Sequence, residues 1–162
     1  MSSDLLSRLL IAGLVTGVTD GLFSSGLAAF VYGSTVTRLW QGVASTLLGA
    51  AAFEGGTRTA AIGLLMHFGV AFTWSAVFLA LVLSSSWIRS AETSLAGALM
   101  VAAVYGPLIW VVMSFGIVPL LTHRPPTINI RWWIQFVGHI PFVALPIVLS
   151  FKSSFLTSTS NF

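Results

Sequence analysis

The chain has 162 residues, of which 56% are hydrophobic and only 7% charged, against about a quarter charged in an ordinary soluble domain. Its mean hydropathy of +0.97 excludes a water-soluble globule and predicts an all-α integral membrane protein, a four-helix bundle forming a single transmembrane domain over residues 1–162. The basic residues behind the net charge of +3 are scattered, which excludes a nucleic-acid surface, and without cysteine any metal or haem ligand must be His, Asp, Glu, Met or backbone.

The first predicted span covers residues 5–32. Its apolar run continues past Asp20 with no small-residue cleavage site, so it reads as a spanning helix rather than a signal peptide. Gly13, Gly17 and Gly21 recur at four-residue spacing, a helix-packing face that lets two backbones approach closely in lipid. Thr16, Asp20 and Ser24 form a neighbouring stripe. Over residues 36–53, Arg38, Gln41, Ser45 and Gly49 alternate with Leu39, Val43 and Leu47 at helical spacing. This predicts an amphipathic helix lying along the membrane surface between the first and second spans.

The second span, residues 59–83, carries no formal charge, and its only ionisable side chain is His67. About 20 apolar residues suffice to cross a hydrocarbon core of roughly 30 Å. A short turn around Trp87 leads to a third span over 91–121, with Glu92 in its first turn, where a carboxylate meets the positive end of the helix dipole. Pro107 predicts a kink near Ala103, because proline leaves the carbonyl four residues earlier without its donor. His123 to Arg131 is a proline-interrupted loop. The fourth span, 132–151, contains Pro141 and Pro146, and the Ser- and Thr-rich tail after Lys152 is expected to fray. Trp40, Trp87, Trp132 and Trp133 are the predicted interface anchors.

Four crossings put both ends on one side, here side A. Side A carries Arg8, Arg89 and Lys152, and side B carries Arg38, Arg58, Arg124 and Arg131, too even a division for the positive-inside rule to choose an orientation.

Spans two and four must run parallel, and each carries a histidine six or seven residues past its predicted side-B start. His67 and His139 are therefore expected at one level, roughly 10 Å into the hydrocarbon, with Asp20 within about a turn of it. A lone charge at that depth costs at least about 2.5–3.5 kcal/mol, so such groups face the bundle interior and pair. Asp20, His67 and His139 form the candidate intramembrane polar site. They can serve as a structural hydrogen bond, a proton or ion pathway, a haem or pigment site, or by residue type a two-histidine, one-carboxylate metal site. For haem, only Gly63 offers a slot beside His67. No phosphate-binding loop, nucleophile elbow or metalloprotease helix is present, so a catalytic role is not expected.

TDGLFS around Asp20, LWQGVASTLLGAAAFEGG before the second span, LLMHFGVAF around His67 and GHIPF around His139 resemble a broad group of bacterial four-helix membrane proteins similar to the YagU-like family. The resemblance implies this topology and a multi-pass location in the bacterial inner membrane, and it brings no catalytic residues. The leading expectation is a non-catalytic accessory subunit, without a cofactor, packing among lipids and other integral subunits of a respiratory or photosynthetic complex. The alternatives are a small proton or ion pathway through Asp20, His67 and His139, or a protein binding haem or a chlorophyll-type pigment.

Overall fold

The computed structural model describes residues 3–152; the expectation for the tail after Lys152 falls outside them. Among the described residues four helices are long and apolar enough to cross a membrane, Ser3–Val31, Gly56–Ser84, Leu95–Thr122 and Ile130–Phe151. The chain is an all-α, four-helix membrane bundle.

In chain order, α1 (Ser3–Gly26) ends in a wide π-type turn (Leu27–Val31), followed by α2 (Val36–Leu48) and a 3-10 turn (Gly49–Phe53). The second span is α3 (Gly56–Ser84), and α4 (Ser86–Ala91) is a short helix where the sequence suggested only a turn. The third span is α5 (Leu95–Val112), a wide turn (Met113–Ile117) and α6 (Val118–Thr122). The fourth is α7 (Ile130–His139), a wide turn (Ile140–Ala144) and α8 (Leu145–Phe151).

Side chains that accept from otherwise orphaned backbone N–H groups set several starts. Thr35 accepts from Arg38 N at 3.1 Å, Ser94 from Gly97 N at 3.0 Å and Asn129 from Trp132 N at 3.1 Å. The Ser94 cap moves the start of the third span to Leu95, so Glu92 lies in the turn before the helix and not in its first turn.

Pro107 does not break the helix at the expected kink near Ala103, whereas the interruption expected near Pro119 and the bend expected at Pro141 do coincide with changes of helix geometry. The helix stays α-helical from Leu95 through Pro107 to Val112, and the geometry widens instead just before Pro119 and around Pro141. Pro146 has no N–H to give Phe142, whose carbonyl would otherwise be orphaned. The Thr19 hydroxyl of α1 donates to that oxygen at 2.6 Å, and Thr16 donates to the Val143 carbonyl at 3.5 Å. A defect in one span thus becomes a stitch to another.

Small residues bring the spans together, and their partners lie within this same chain. A methyl group at Gly13 would collide with Phe72, and one at Gly17 with Phe68. The first span's small-residue face is therefore spent on α3. Gly106 does the same for spans three and four, since a methyl group there would lie 2.5 Å from the His139 carbonyl oxygen.

The bundle has two unlike halves. The side-A half holds the apolar core, built by Ala12, Phe78, Val82, Ala98, Ala102, Ile109, Ile147, Val148 and Phe151. The side-B half, covered by α2, holds polar and aromatic side chains.

Candidate intramembrane polar site

Asp20 sits near the middle of the first span, while His67 and His139 lie about three helical turns in from the side-B ends of α3 and α7. The structure brings all three together. His67 Nδ1 is 3.8 Å from Asp20 Oδ2, and both side chains are only 14% exposed. His139, 8% exposed, lies within electrostatic reach of both Asp20 and His67.

Each imidazole has one nitrogen committed to the backbone. His67 Nε2 is 2.9 Å from the Gly17 carbonyl oxygen, and His139 Nδ1 is 2.7 Å from the Gln135 carbonyl oxygen. A carbonyl only accepts, so those nitrogens carry hydrogen and donate. The exchangeable positions are then His67 Nδ1, which faces the carboxylate, and His139 Nε2. Asp20 Oδ1 is buried with no hydrogen-bond partner. An incompletely paired carboxylate thus lies beside two half-committed imidazoles.

The walls are aromatic. The Trp40 ring lies 5.0 Å from that of His67, and Trp110 lies 4.8 Å from that of His139. Trp40 is 7% exposed and Trp132 8% exposed, so these two expected anchors face other parts of the chain. Trp40 closes the site from α2, and Trp132 packs in a ring cluster with Trp110, Phe115 and Phe136. Trp87 and Trp133 are 63% and 51% exposed. On α2, Gln41 turns inward, being buried and donating to the Gly56 carbonyl at 3.1 Å, while Arg38, Leu47 and Leu48 are exposed.

The site does not suit the metal alternatives. Among the described residues no group of three His, Asp or Glu converges closely enough to hold a metal ion. For haem, Gly63 abuts the backbone of Trp40 and Ala44, leaving no slot there. The three grouped residues are those the sequence singled out. Sequence reasoning missed Gln135, whose amide nitrogen is 3.4 Å from the Ser24 hydroxyl, and Tyr32, whose ring lies 4.4 Å beneath the Arg131 guanidinium. The signal was present, since Arg131, Gln135 and His139 recur every four residues.

Comparison with known proteins finds no matching family model, no matching curated protein and no matching solved structure.

Proposed function

We propose that this multi-pass membrane protein binds and exchanges a proton at Asp20, His67 and His139, without a covalent step. The observation that carries the reading is the division of labour in each ring: one nitrogen held by a main-chain carbonyl, with the His67 nitrogen that remains turned to Asp20 at 3.8 Å. A neutral acid beside a neutral imidazole and a carboxylate beside an imidazolium differ by one short proton shift. Both states keep net charge low in a medium where an isolated ion is costly, and a second histidine in reach lets the proton be held at more than one position. The small-residue face that favoured an accessory subunit is occupied within the chain, so that reading draws no support from it. The YagU-like resemblance supports a bacterial inner membrane as the location.

Infrared titration of the protein in lipid vesicles, from about pH 4 to about pH 10 to cover the carboxyl and imidazole ranges, tests this directly. A protonated-carboxyl band that responds to pH and disappears in Asp20→Asn, with helical content unchanged, is the expected result. No Asp20-dependent band that changes with pH would overturn it.

A further inference from the structure

The site has a different environment on each side. Toward side A, the hydroxyl groups next to it donate to carbonyls. Thr19 donates to Phe142 O, Thr16 to Val143 O, and Tyr105 to Trp74 O at 2.8 Å. Beyond them lie the Phe68 and Phe72 rings against Gly17 and Gly13 and then the apolar core.

Toward side B, antiparallel spans one and four face each other through three successive polar pairs. Asp20 and His139 lie within electrostatic reach of each other. About one turn further out, Gln135 Nε2 meets Ser24 Oγ at 3.4 Å. At the end of the span, Arg131 lies over the Tyr32 ring at 4.4 Å, and Arg131 is exposed. The buried side-chain polar atoms that have no partner among the described residues, Glu92 apart, all belong to this half: Asp20 Oδ1, Tyr32 Oη, Trp110 Nε1 and Trp132 Nε1. Buried groups of this kind are ordinarily satisfied by ordered water.

The geometry points to a one-sided access path: Asp20 exchanges its proton with the side-B solution alone, along the Ser24–Gln135 and Tyr32–Arg131 pairs, while side A stays sealed by Thr16 and Thr19. This rests on the proton reading above and narrows it. A path open at one end makes the bundle a sensor or store of protons rather than a conduit. The titratable and charged groups facing the path are Asp20, His67, His139, Tyr32 and Arg131.

Because the chain has no cysteine, single thiols report access cleanly. Ser24→Cys and Thr16→Cys, reconstituted in vesicles of known orientation, are treated with a charged, membrane-impermeant thiol reagent from each side in turn. Ser24→Cys is expected to react from side B and not from side A, and Thr16→Cys from neither. Failure of Ser24→Cys to react from side B, or reaction of Thr16→Cys from side A at a similar rate, overturns the path. In cysteine-free protein, a pH jump on side B is expected to change the Asp20 carboxyl band within the mixing time, and Gln135→Leu to slow that change about tenfold, a barrier increase of about 1.4 kcal/mol. A band that responds equally to a jump on side A overturns one-sided access while leaving the proton reading intact. A band that responds from neither side overturns the proton reading, whatever Ser24→Cys does.

Discussion

The two halves of this bundle use the same spans for opposite ends. In the side-A half, Phe78, Ile109, Ile147 and Phe151 are all but inaccessible, and the titratable group among the described core residues, Tyr105, donates its hydroxyl to the Trp74 carbonyl at 2.8 Å. In the side-B half the same four helices, with α2 laid over them, enclose an aspartate, two histidines and several polar atoms without partners. Association of helices in lipid rests on close packing and hydrogen bonds rather than on escape from water. The apolar half supplies the rigid packing, and that rigidity lets the other half hold polar groups whose hydrogen bonding is incomplete.

Substitutions that separate these roles order themselves by size. The largest effect is expected from Gly63→Val, because any side chain there meets the Trp40 carbonyl and the Ala44 nitrogen, backbone atoms that cannot move aside. The cost should reach about 3 kcal/mol, the upper end for overpacking. It should lift α2 away from His67, read as loss of quenching or a spectral shift of Trp40. Phe78→Ala, in the other half, should cost about 3 kcal/mol, the lower end of the range for a buried Phe, since in lipid the loss is of contacts alone. Steric-trapping or denaturant unfolding in bicelles measures it, and the Asp20 infrared titration should be unchanged. If Phe78→Ala shifts that titration as much as it lowers stability, the halves are not separable as described.

A smaller effect concerns Glu92, a buried carboxylate at the side-A end. It is fully buried between α4 and α5, neither carboxylate oxygen has a partner, and burial pushes its carboxyl up from 4.5 to about 7. A raised value means the folded state holds this proton more tightly than the unfolded chain. The corresponding stability is therefore fully present below about 4.5, declines as pH rises and is lost above about 7. Glu92→Gln should flatten that slope in thermal unfolding scans between the two values; an unchanged slope would show that another group produces it. The smallest effect on stability is expected from Asp20→Asn, within about 1 kcal/mol of the parent, because removing an imperfectly paired buried charge also removes its desolvation cost. The same substitution should remove the proton-exchange signal, so function and stability part company at this residue.

Much of this was legible in the sequence. The four spans follow from hydropathy and length, and the common level of His67 and His139 follows from parallel spans with similar offsets. The Asp20 and Ser24 stripe was visible too. What was not legible depended on contacts between distant segments. Trp40 and Trp132 carry the composition signal of interface residues, and only the packing of α2 on α3, and of α7 on α5, turns them inward. Pro146 announces a broken helix, but nothing local says that Thr19 will repair it from another span. Gln135 is a single polar residue in an apolar run, and its role appears only once Ser24 stands opposite.

Nitrogen-15 NMR of the histidine rings in oriented, labelled membranes tests the central claim most directly. His67 Nδ1 and His139 Nε2 are expected to gain and lose hydrogen as pH changes, while His67 Nε2 and His139 Nδ1 stay protonated throughout, and Asp20→Asn should displace both titrations. Rings that show no change of protonation between about pH 4 and about pH 10, or that titrate identically with and without the Asp20 carboxylate, would contradict the account.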